Sequence, residues 1–198
     1  MTGFDKASQP RDLKLFTARA LSVGLHPFVL TPLVVALTSR SWPQTILIAG
    51  LTTIPLLILI RRNVRRGTWT DTDVSHRGQR KSLYYAAAPL LLLTGLVLYA
   101  IGASANLLRG FFAATAMIVT GFLLMPLLKV SLHMTFAGFS AMILLDRSGF
   151  APPPLGVAIL LVLALAWSRR TLDRHTWAEI ATGIVIGTAA GAWTVVGG

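Results

Sequence analysis

The sequence predicts an all-α protein, a polytopic integral membrane helical bundle of six or seven transmembrane helices. Of its 198 residues, 54% are hydrophobic and only 13% are charged, about half the roughly 25% charge of a soluble domain. Mean hydropathy is +0.68. The apolar residues gather in runs of about 20, the length at which a helix crosses the hydrocarbon with every backbone amide bonded inside the segment. Seven runs qualify or nearly qualify, at 18–38, 43–60, 83–102, 107–128, 130–146, 154–168 and 176–196.

Taken in order, residues 1–17 are polar and mildly amphipathic with no small-residue cleavage site, and read as an interfacial lead-in retained in the chain. Residues 18–198 then form a single transmembrane domain. The first run carries Pro27 and Pro32, which a membrane helix tolerates but which bend it. The longest polar connection, about 61–82, separates the second run from the third. The runs at 130–146 and 154–168 are short for a span. In the last run Gly183, Gly187 and Gly191 recur at four-residue steps, a small-residue ridge suited to packing inside the chain or between two copies in a homo-oligomer.

Charge then orients the bundle. The net charge is +11, but the basic residues interrupt apolar runs instead of lining a soluble face, so nucleic acid is not the expected partner. Alternating the runs across the membrane puts 15 Lys and Arg on the N-terminal side and only Arg40, Arg109 and Arg147 on the other. By the positive-inside rule the N-terminal side faces the cytoplasm, with the protein in the plasma (inner) membrane. Absence of cysteine excludes disulfides, thiolate metal sites and cysteine nucleophiles, which leaves four histidines and seven acids to carry any chemistry.

Three polar segments fall on the basic side. In "SRRTLDRHTWAEIATG", His175 and Glu179 are four apart on a starting helix, so the carboxylate can orient the imidazole. Arg169 adds a planar donor fork for phosphate oxygens. In "KVSLHMTFAG", Ser131, His133 and free helix-start amides can face one anion, with Lys129 adding charge. The segment "RRGTWTDTDVSHRGQRKSLYY" mixes Asp71, Asp73, His76, Arg77, Arg80 and Lys81, and is either a self-neutralising loop or a phosphate-binding lid held by its own ion pairs. His26, inside the first run beside Pro27, is expected to bond a freed carbonyl.

The first of these segments resembles the S-R-x-x-x-x-x-H-x-x-x-D-x-x-x-G signature of the type 2 phosphatidic acid phosphatase superfamily through Ser168, Arg169, His175, Glu179 and Gly183, with Glu in place of Asp. The second is similar to that family's P-S-G-H element through Ser131 and His133, with Val130 and Leu132 in place of Pro and Gly. The third matches the family's K-x-x-x-x-x-x-R-P element loosely: Arg80 stands closest to its arginine, with Arg77 and Lys81 as alternatives.

The resemblance implies a lipid phosphate phosphatase that needs no metal or other cofactor. In it, His175 attacks phosphorus and becomes a phosphohistidine, and Glu179 orients His175. His133 protonates the leaving alkoxide and then activates water. Arg169, Ser131, Lys129 and one or more of Arg80, Arg77 and Lys81 hold the phosphoryl group. The implied partners are the bilayer and a lipid-linked phosphomonoester, either phosphatidate-like or a polyprenyl-linked sugar phosphate, the latter by similarity to the actinobacterial branch that dephosphorylates decaprenylphosphoryl-phosphoribose. Two readings compete with it: a prenyltransferase with Asp71 and Asp73 holding magnesium, and a small transporter or scaffold.

Overall fold

The computed structural model describes residues 9–38, 42–74 and 76–196. Among them are eight helices and no strand: α1 (Gln9–Gly24), α2 (Pro27–Thr38), α3 (Trp42–Arg65), α4 (Arg77–Ala100), α5 (Ala105–Leu124), α6 (Leu132–Arg147), α7 (Pro152–Thr171) and α8 (Trp177–Val196). Five of them, α3, α4, α5, α7 and α8, are long and apolar enough to cross a membrane, and α1 with α2 makes a sixth candidate as a pair bent by 42°. The protein is a membrane-embedded helical bundle. Residues 1–8 of the expected interfacial segment, and Arg40, lie outside the described residues.

The bend falls where Pro27 predicts it. Proline disfavours helical geometry in the residue before it and suits the first position of a new helix, so the chain breaks at Leu25–His26 and α2 starts on Pro27. Pro32 sits inside α2 without ending it.

Two boundaries differ from the sequence reading. Helix α3 continues past its apolar run to Arg65, and α4 begins at Arg77, so the loop expected over 61–82 shortens to 66–76. Arginines tolerate this placement because their stems lie along apolar surface while the guanidinium reaches the polar boundary. Helix α6 has only 16 residues. Its short length goes with a central position, since His133, Met134, Thr135, Ala137, Gly138, Phe139 and Ser140 are all buried.

The glycine ridge explains that position. A Cβ on Gly187 would overlap the Thr135 carbonyl, one on Gly183 would lie 2.7 Å from the Ser131 carbonyl oxygen, and one on Gly191 would lie 2.6 Å from the Met142 Cβ. The three glycines therefore pack α8 backbone-to-backbone against α6 within one chain, the intramolecular of the two contacts that the ridge allowed. A backbone bond from Ser131 N to the Glu179 carbonyl (3.2 Å) fixes the same pair at its polar end.

Candidate functional site

All three polar segments meet at one end of the bundle. The turn after α7 is closed by Asp173 at φ 51°, a left-handed conformation that Asp tolerates, with Arg174 N bonded to the Arg169 carbonyl at 3.0 Å. This turn delivers His175 and Thr176 to the start of α8. There Thr176 and Glu179 form a reciprocal cap: Glu179 N–H donates to Thr176 Oγ1 (3.3 Å) and Thr176 N–H donates to Glu179 Oε2 (3.0 Å). The same Oε2 lies 3.1 Å from His175 Nδ1. The longer Glu side chain thus reaches the imidazole while capping the helix.

Arg80 contacts the other ring nitrogen. Its Nη2 is 3.3 Å from His175 Nε2, while Nη1 donates to the Val130 carbonyl (2.6 Å) and Nε to the Val74 carbonyl (3.0 Å). Guanidinium can only donate, so Nε2 is the accepting nitrogen and Nδ1 carries the proton towards Glu179. The lone pair on Nε2 faces the cationic side of the site. Val74 presents its carbonyl from a strained backbone, φ 49° at a β-branched residue, held by burial against Ile60, Trp69 and Leu83.

Among the three basic candidates in the loose motif, Arg80 is 2% exposed, whereas Arg77 and Lys81 are exposed and Arg77 bonds the Pro126 carbonyl at 3.3 Å. The structure brings Arg80 into the site and leaves those two outside it. Helix phase carries the signal: Arg80 extends the buried stripe of Leu83, Tyr84, Ala87 and Leu91.

Arg169, 1% exposed, donates from Nη1 to Ser22 Oγ (2.6 Å) and Asp73 Oδ2 (2.8 Å). Arg174 pairs with Asp71 at 2.8 Å. The two acids of the long loop therefore do not neutralise that loop's own bases. They pin it to the end of α7 and to the turn that follows, and both acids weighed as magnesium ligands already engage arginines. Lys129 donates to the Arg174 carbonyl (2.8 Å) and Arg170 to the His175 carbonyl (3.1 Å). Ser168, part of the resembling motif, bonds the Ala18 carbonyl at 2.6 Å and fastens α1 to α7.

Ser131 and His133, at the start of α6, are buried beside this group, with His133 in electrostatic reach of His175, Arg80 and Arg169. Four buried side-chain atoms have no hydrogen-bond partner among the described residues. Three of them are Ser131 Oγ, His133 Nε2 and Arg169 Nε, all at this site. Two residues to which the sequence reading gave other roles also belong here. His26 does not bond a carbonyl; its Nδ1 accepts from Phe28 N–H at 3.2 Å, and its ring packs against His133 with centroids 4.7 Å apart. Asp73 reaches the same place from the loop.

A cavity of about 130 Å³ opens from the site into the bundle, lined at its polar end by His26, Asp73, Arg80 and His133 and further in by Leu91, Phe111, Ile118, Phe139 and Ile143. Along α6, Leu132 and Ile143 on its wall are roughly 16 Å apart at 1.5 Å per residue, about half the ~30 Å hydrocarbon thickness of a bilayer.

Burial first, then the charges of Arg80, Arg169 and Lys129, push the His175 pKa well below its usual 6.5. The folded ring stays neutral where an unfolded one takes up a proton, so unfolding becomes easier as pH falls through about 6.5. Thermal unfolding midpoints in detergent are expected to drop between pH 7.5 and 5.5. A His175→Gln variant should show a shallower drop, the difference being about 1.4 kcal/mol per pH unit at most.

No protein-family model, no curated protein and no solved structure matches this chain.

Proposed function

We propose that the protein is a metal-independent phosphatase of the type 2 phosphatidic acid phosphatase kind, hydrolysing a phosphomonoester on a membrane lipid. The observation that carries this reading is the set of unpartnered buried atoms, Ser131 Oγ, His133 Nε2 and Arg169 Nε, beside the lone pair of His175 Nε2. Buried polar atoms ordinarily have partners, and a hydroxyl, an imidazole and a guanidinium left without them suit the oxygens of one anion.

In this scheme His175 Nε2 attacks phosphorus, and Glu179 accepts the Nδ1 proton's hydrogen bond and stabilises the positive ring. Arg80, Arg169 and Ser131 take the non-bridging oxygens as charge spreads over them, and Lys129 adds to the positive field. His133 gives its proton to the departing alkoxide and later accepts one from water. The apolar cavity accommodates the lipid tail at a depth suited to one leaflet. The excess of Lys and Arg at this end supports a site on the cytoplasmic side of the plasma membrane, where newly made lipid phosphates are processed.

Purified protein in detergent with EDTA should release inorganic phosphate from one or more of phosphatidate, phosphatidylglycerophosphate, a prenyl phosphate and a prenyl-linked sugar phosphate. Acid quenching with substrate present should trap acid-labile phosphate on the chain. Silence from the whole panel, or release that depends on a divalent metal, overturns the reading.

A further inference from the structure

His26 and Asp73 stand against His133 without a role in the scheme above. Phe28 N–H donates to His26 Nδ1, so in the neutral ring Nε2 carries the proton, and Nε2 lies 4.0 Å from Asp73 Oδ1. The other carboxylate oxygen, Oδ2, is taken by Arg169. One nitrogen of each imidazole and one Asp73 oxygen all lie within 4.8 Å of one another. Gaps of this size are too long for direct hydrogen bonds, but two bonds of ~2.8 Å meeting at a shared oxygen span them. A metal ion in the same place needs the lone pair of His26 Nε2, which the Phe28 bond leaves protonated. The cluster is therefore built for an oxygen.

We propose that His26, Asp73 and His133 together hold the water that cleaves the phosphohistidine, an inference that rests on the nucleophilic reading of His175. Water has two hydrogens and two lone pairs. One hydrogen goes to His133 Nε2 and the other to Asp73 Oδ1, while one lone pair accepts from His26 Nε2–H. The fourth position, a lone pair, is left for phosphorus. In the step itself the water oxygen bonds phosphorus, the nitrogen–phosphorus bond breaks with its pair returning to His175 Nε2, and the proton passes to His133 Nε2. Inorganic phosphate leaves, and the imidazolium on His133 is the acid that the next alkoxide requires.

Oxygen exchange between inorganic [¹⁸O]phosphate and water isolates this half-reaction, because each reversal expels one labelled oxygen and returns an unlabelled one. Full-length protein in detergent should exchange the label and His175→Ala should not. His26→Ala is expected to slow exchange on the order of 10- to 100-fold, the cost of a misplaced reactant. His26→Gln, which keeps a nitrogen donor at similar reach, should recover most of the rate. Added phosphate should raise the thermal midpoint of His26→Ala as much as that of the wild type, which a collapsed site would not allow.

Equal exchange in His26→Ala and wild type overturns the water assignment and leaves the phosphohistidine standing. Slow exchange in both His26 variants with the phosphate effect lost makes the ring structural and also overturns it. Exchange that EDTA abolishes and a divalent metal restores makes the cluster a metal site. No exchange in the wild type, or exchange that survives His175→Ala, removes the phosphohistidine reading and this inference with it.

Discussion

His175→Ala is expected to lower phosphate release by at least about 10⁴-fold and to remove the acid-labile phosphoprotein altogether, because it deletes the nucleophile on which the proposed covalent intermediate forms. The ring is 3% exposed and its Nε2 is the nitrogen that Arg80 faces. Glu179→Gln should cost less, about 10²-fold, since an amide oxygen can still accept from Nδ1 but no longer balances a positive ring. The comparison is made by phosphate release and phosphoprotein yield on both variants. Turnover in His175→Ala within tenfold of wild type would remove the histidine from the chemistry.

The second large effect is on stability. Asp73→Ala leaves the Arg169 guanidinium, 1% exposed, with Ser22 as its remaining side-chain partner. Removing one member of a buried pair strands the other charge and costs about 3–5 kcal/mol. Combining Asp73→Ala with Arg169→Met takes away the stranded charge and should recover most of the loss in a thermal melt, while activity stays absent. A single variant as stable as wild type would mean that Asp73 does not compensate Arg169.

Much of this was legible in the chain. The seven apolar runs appear in the helices, the first as the end of α1 with α2 and the other six as α3 to α8, because membrane burial depends on local hydropathy and length. The four-residue spacings of His175 with Glu179 and of the ridge glycines were equally local, and they became the helix cap and the α6–α8 seam. What was hidden depends on tertiary neighbours. His26 meets His133 only because a helix break after Gly24 drops the ring into the site, and no local pattern distinguishes that from a histidine bonding a carbonyl. Asp71 and Asp73 read as a self-contained loop because their arginine partners lie about a hundred positions away. The choice of Arg80 over Arg77 and Lys81 was available from helix phase, but only once α4 was extended back through the polar residues, a boundary that hydropathy places too late.

The glycine seam has a bearing on how the site adapts. Ser131 and His133 at the start of α6, and His175 and Glu179 at the start of α8, sit where the backbones of the two helices touch, so the groups proposed as nucleophile, orienting carboxylate and acid share one rigid anvil. Arg80 and Asp73 belong to an opposing jaw, the 66–76 loop and the head of α4, which reaches the anvil through the Arg80 guanidinium, on His175 Nε2 and the Val130 carbonyl, and reaches α7 through Asp73 on Arg169. On the proposed function, a bulkier or slimmer head group is accommodated by resetting the jaw, while the spacing of His133 and His175 stays as the backbone set it.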